Sequence, residues 1–94
     1  MAGWAIFMVE EVYDLPLLEE YRKAGRASIA DRGGRIRVTA KSEKAVVEGA
    51  AKGLIIVEFD TYEQVRAWYE SPEYQAASAI RKKACRCQVI LTEA

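Results

Sequence analysis

Apolar and polar positions alternate in four separate stretches of this chain, and between them apolar residues recur at helical spacing. Trp4 to Val12 is apolar on both alternating faces, with Trp4, Ile6 and Met8 on one and Ala5, Phe7 and Val9 on the other, so it reads as a strand covered on both sides. Leu54 to Asp60 has the same character: Ile55, Val57 and Phe59 share one face, while Leu54 and Ile56 share the other with Glu58. Ile36, Val38 and Ala40 alternate with Arg35, Arg37 and Thr39, which predicts a strand with one apolar and one polar face, extended past a bend by Ala45 to Glu48. Arg86 to Thr92 forms the last strand, with Cys87, Val89 and Leu91 toward the core.

Two helical segments fill the gaps. Asp14 is an N-cap with Pro16 in the first turn, Leu17, Leu18, Tyr21 and Ser28 or Ile29 follow at helical spacing, and Gly33-Gly34 ends the helix after about Arg32. Thr61 caps a second helix whose apolar stripe is Val65, Trp68 and Tyr69. Pro72 disfavours helical geometry at Ser71, so this helix breaks there and resumes from Glu73 to Lys83 with Ala76, Ala77, Ile80 and Ala84 inward.

The order is β-α-β-β-α-β, which predicts an α+β fold with the ferredoxin-like split βαβ topology and a four-stranded antiparallel sheet. Its usual strand arrangement (fourth, first, third, second) places in the middle the two strands that are apolar on both faces. Residues 1–94 form one domain, because a chain of 94 residues buries too little surface for two cores. Two helices cover only one face of such a sheet. A homodimer packed sheet against sheet supplies the second cover.

Fourteen basic and fourteen acidic residues cancel, so no net field draws the chain to nucleic acid or to a membrane. The balance is uneven locally: Arg22 to Lys44 holds eight bases against Asp31 and Glu43. That run is either a solvated helix face and loop or a basic site for an anionic ligand. No apolar run spans a bilayer and Met1 to Trp4 lacks a signal-peptide pattern, so the expected location is the cytoplasm.

Glu58-Phe59, Ala67-Trp68-Tyr69, Ser71-Pro72-Glu73-Tyr74-Gln75 and Arg81, with Asp14, Tyr21, Gly33-Gly34 and Glu48-Gly49 before them, resemble the signature of the small bacterial domain-of-unknown-function family 1330 over nearly the whole chain. The resemblance implies the dimeric α/β-barrel superfamily, in which two ferredoxin-like chains bring their sheets together, and implies no established activity. Two places depart from the family pattern. Leu18 stands where relatives usually carry an aromatic, and Thr39-Ala40-Lys41-Ser42 replaces a glycine-rich turn.

Candidate chemistry gathers in two groups. If Ile55, Val57 and Phe59 face the helices, Glu58 points to the open face of the sheet, together with Arg35, Arg37 and Thr39 and with Arg86, Gln88 and Thr92. Two readings stand: an ion-pair network that sets dimer register, or a polar pocket in which Arg35 or Arg37 binds an anionic group and Glu58, the one catalytic candidate, acts as a base. Tyr21, Trp68 and Tyr74, with Tyr69, either pack the core or line a cavity for a flat organic molecule. The expected partners are a second copy of the chain and a small-molecule ligand, the alternative being a non-catalytic structural or interaction dimer.

Several chemistries are not expected. With no histidine, neither a Ser-His nor a Cys-His nucleophile pair exists, and Cys85 and Cys87 make a C-x-C pair that reads as free thiols and not as a metal site. No glycine-rich phosphate loop or other cofactor motif is present. RNA binding is not expected, because Ile55 to Phe59 lacks the sheet-face aromatics of RNA-recognition modules.

Overall fold

The computed structural model describes residues 1–41 and 48–94; the expected continuation of the second strand over Ala45 to Val47 lies outside them, and Glu48 sits in a bend. The elements are β1 (Gly3–Val12), α1 (Leu15–Asp31), β2 (Arg35–Lys41), β3 (Gly53–Phe59), α2 (Tyr62–Glu70), α3 (Pro72–Ala84) and β4 (Cys85–Glu93). The four strands form one antiparallel sheet in the order β2-β3-β1-β4, the ferredoxin-like arrangement with the two doubly apolar strands in the middle.

The helix ends follow from local chemistry. The Asp14 carboxylate accepts from the Leu17 N–H at 3.0 Å, and Pro16 occupies the first turn of α1, where no N–H is needed. The chain leaves α1 through Gly33, whose φ of 79° is in the left-handed region that glycine adopts without strain. Gly34 is required for space, since a Cβ there would lie 2.5 Å from the Phe59 ring. Thr61 and Gln64 form a reciprocal capping box at the start of α2. Ser71 then ends α2 and caps α3 with one hydroxyl, which donates to the Trp68 carbonyl at 2.7 Å and accepts from the Tyr74 N–H at 3.2 Å. Pro72 is the first residue of α3, so the break expected there is a clean hand-over between two helices.

All three helices lie on one face of the sheet. Under them, Ala5 and Phe7 of β1 and Val57 and Phe59 of β3 pack against Leu18, Val65, Trp68 and Tyr74. Trp68 and Tyr74 are fully buried with ring centroids 4.2 Å apart, and Phe59 lies 5.5 Å from Trp68. The Trp68 indole N–H donates to the Ser28 hydroxyl at 3.0 Å, and that hydroxyl donates to the Gly25 carbonyl at 2.7 Å, so the polar edge of the largest core side chain is satisfied.

Two details differ from the sequence pattern. The inward stripe of α3 is Tyr74, Ala77, Ser78, Arg81 and Ala84, whereas Ala76 is exposed and Ile80 only half-buried. Arg81, which is not in the expected stripe, turns inward, while Lys82 and Lys83 are exposed. In β2 the register shifts between Ile36 and Val38, so Arg37 is an extra residue in a β-bulge. Beyond it Val38 lies opposite Ile56 on the open face and Thr39 opposite Ile55 on the helix side, the reverse of the expected facing.

Trp68→Ala leaves a large void at the centre of this aromatic cluster and orphans the Ser28 contact. A loss of about 3–5 kcal/mol is expected, a large share of a small domain's stability, measurable as a lowered denaturation midpoint. A variant melting with the parent chain would show that Trp68 is not the packing anchor.

Candidate functional site

The sheet separates the candidate residues into two groups on opposite faces. Arg35, Arg37 and Glu58 sit at one corner of the open face; Tyr21, Trp68 and Tyr74 lie on the helix side. No single site contains both groups.

At the open-face corner, the Arg37 guanidinium donates to Glu58 at 2.7 Å, and Arg35 lies 3.6 Å from the same carboxylate oxygen while bonding Asp60 at 2.9 Å. Arg35 and Arg37, two residues apart on β2, thus both approach Glu58. The hydrogen bond from Arg37 holds the Glu58 carboxyl below its ordinary value, so it is ionised and occupied by its partners. Arg86 and Gln88 do not join this group. At the far end of the sheet, Arg86 bonds Glu11 at 3.0 Å and Gln88 bonds Glu10 at 3.2 Å. Between the two polar ends, Val38, Ile56, Ile6 and Ile90 form an apolar row across all four strands.

The helix side holds an arrangement that the sequence did not bring forward. Arg81, projecting from α3, is only 5 % exposed. It donates to the Ser78 hydroxyl at 3.1 Å, its Nε has no hydrogen-bond partner, and among the described residues no carboxylate lies within ion-pair distance. Its guanidinium carbon is 6.0 Å from the ring centres of both Phe7 and Tyr21, the outer limit of a cation–π contact. The Tyr21 and Tyr74 hydroxyls meet at 2.9 Å beside it and link α1 to α3. Burial pushes both phenols above their ordinary value, so both are neutral. Burial likewise raises the Cys87 thiol to about 11. Guanidinium cannot discharge by deprotonation. Arg81 is therefore a buried cation with no carboxylate partner among the described residues, an expensive arrangement for a protein to keep without a counter-charge.

Space opens beside it. Three cavities lie between α1 and the sheet, and Arg22 and Ile55 line all of them. The innermost, about 20 Å³, is walled by Arg81, Tyr21, Phe7 and Cys87; a second, about 30 Å³, lies between Tyr21 and Thr39. Each holds groups on the scale of one or two waters. The third, about 520 Å³, opens outward past Val12, Leu15 and Lys52. Trp68 is fully buried behind the two tyrosines and enters none of these three cavities. Helical periodicity is the signal that would have found Arg81, since it stands seven residues after Tyr74 and four after Ala77 on the same stripe.

The fold and this cavity define a ferredoxin-like chain with a cationic chamber under its first helix. Residues 2–94 match the family described as Domain of unknown function (DUF1330), and the chain belongs to that family. No functionally curated protein matches it in sequence. Among solved structures, a protein of unknown function from Rhodopseudomonas palustris superposes with a TM-score of 0.77 at 12% identity, covering 99% of this chain and 82% of that one. A dimeric ferredoxin-like protein of unknown function from Jannaschia sp. CCS1 gives 0.76 at 13% identity with full coverage of both, 100% and 100%. SnoaB, a cofactor-independent oxygenase from Streptomyces nogalater, gives 0.67 at 13% identity over 99% of this chain and 90% of that one. At such identities the likeness establishes the fold. Among the described residues, no helix is long and apolar enough to cross a membrane.

Because burial raises the Cys87 thiol from 9.0 to about 11, the fold favours its neutral form. The associated stability is complete below pH 9.0 and is lost as pH rises through about 11. Alkylation of Cys87 at pH 8, followed by peptide mass analysis, should run at least roughly tenfold slower in the native chain than in the unfolded one, after allowing for the greater nucleophilicity of a high-pKa thiolate. Equal rates would mean that the thiol stands open to water.

Proposed function

We propose that this protein is a homodimer that binds a small organic anion beneath α1, with an anionic oxygen seated against the Arg81 guanidinium and the Tyr21–Tyr74 hydroxyl pair. The observation that carries this reading is the buried Arg81 itself, which has a free Nε donor, three neutral neighbours and an adjoining cavity. A carboxylate, enolate or phenolate oxygen placed there would receive a charge-assisted hydrogen bond and a second bond from tyrosine, and would neutralise the site. The chemistry supports binding first. A catalytic use is within the range of the fold, since SnoaB is a cofactor-independent oxygenase.

The dimer is argued from the apolar row Val38, Ile56, Ile6 and Ile90 and from Trp4 and Met8 on the same face, which no helix covers. Several structures of the same fold are dimeric proteins. In this reading Glu58, Arg35 and Arg37 set the register of the two sheets. Their pairing, completed by Arg35 with Asp60, is also what favours the second reading, a non-catalytic interaction dimer, because two arginines against two carboxylates leave no charge over for a ligand.

Thermal shift distinguishes the two. Carboxylates should raise the melting temperature, on the order of 10 °C at a hundredfold excess over Kd, while alkylammonium ions of the same skeleton should not. Arg81→Met should weaken carboxylate binding by at least about tenfold, the scale of one charge-assisted hydrogen bond. A parent chain that responds to no organic anion favours the interaction dimer.

Sedimentation at micromolar concentration should give a dimer. Ile90→Glu, which places a charge in the middle of the apolar row, should give a monomer with unchanged circular dichroism. A parent chain that sediments as a stable monomer would end the sheet-to-sheet arrangement.

A further inference from the structure

We infer that the ligand is an amphiphile, an organic acid whose charged head enters the chamber at Arg81 and whose apolar body fills the outer cavity beneath the start of α1. This rests on the anion-binding reading above and adds the shape of the molecule.

Three observations carry it. The chamber walled by Arg81, Tyr21 and Cys87 is about 20 Å³, room for an oxygen-bearing head group and nothing larger. The outer cavity is about 520 Å³, the size of a pocket for an organic molecule, and it is bounded by Val9, Leu54 and Ile55 of the sheet. At its mouth Val12 and Leu15 are 44% and 57% exposed, apolar side chains presented to water where a cavity opens. A compact polar ligand would use none of this apolar surface. A head-in amphiphile uses all of it.

Arg22 stands where the cavities meet, since it walls both the inner chamber and the outer cavity. Among the described residues its hydrogen-bonded partner is Glu19 one turn earlier, an exposed pair on the helix surface. Such pairs contribute little, so swinging Arg22 aside costs little and joins the two spaces. Once displaced, its guanidinium remains beside the passage as a second positive charge for an acid entering head first. Arg26 and Lys52 line the outer cavity, against the one carboxylate of Glu19, and extend the same attraction outward.

Straight-chain carboxylates from acetate to decanoate, titrated by calorimetry below their micelle concentrations, test the inference. Affinity should rise about fourfold per methylene, the equivalent of about 0.8 kcal/mol, until the outer cavity is full. Alcohols and alkylammonium ions of equal length should bind at least tenfold more weakly than the acids. Leu15→Ser alters an exposed position and should leave folding intact while removing several-fold of the affinity for the long acids and almost none for the short ones. Arg81→Met should lower the affinity of the long acids, and if that variant does not fold, the Leu15→Ser series decides by itself. Acids that bind with no dependence on chain length would overturn the amphiphile and leave the anion reading standing. Binding of no acid at any length would overturn both.

Discussion

Three helices packed on one face of a four-stranded sheet is the constraint from which the rest of this structure follows. The helices bury Ala5, Phe7, Val57 and Phe59 completely or nearly so, and leave Trp4, Ile6 and Ile56 of the same strands, with Ile90 of β4, on the face no helix covers. A β-strand offers its side chains alternately to two faces, so a doubly apolar central strand places equal demands on both sides. One demand is met within the chain by the aromatic cluster around Trp68. No helix of the described residues meets the other.

The same layering decides where chemistry can occur. The polar groups of the open face pair with one another at its two ends, Glu58 with Arg37 and Arg35, and Arg86 with Glu11. On the helix side the polar groups are few and deeply placed, and one of them is a cation. The Tyr21–Tyr74 pair spans α1 and α3 at the point where Arg81 arrives, so a hydroxyl couple that serves the packing of two helices also frames a charged chamber. Both phenols and the nearby thiol are held neutral by burial.

The bulge at Arg37 shows how one inserted residue redistributes function across a sheet. Before it, Arg35 and Ile36 follow the facing expected from alternation; after it, Val38 and Thr39 lie on the sides opposite to those expected. Thr39 is thereby delivered to the cavity wall and Val38 to the apolar row. The strand thus contributes to both faces in a way that strict alternation does not permit.

Local chemistry was enough to read the elements. Asp14 and Thr61 announce helix starts, Gly33-Gly34 and Pro72 announce the stops, and period-two and helical patterns name the strands and helices between them, because capping and periodicity depend on neighbours a few residues apart. The topology followed from the order of elements, and the apolar second face of β1 and β3 was visible as alternation. What only the tertiary structure decided was pairing. Thr39 turning to the helix side and Tyr21 touching Tyr74 across 53 positions of sequence depend on register and packing, which no local pattern encodes. Arg81 is the sharpest case. In sequence it begins a run of three bases, and it is buried because position 81 falls on the inward stripe of α3 with Tyr74, Ala77 and Ala84, its guanidinium carbon 6.0 Å from the Phe7 ring centre.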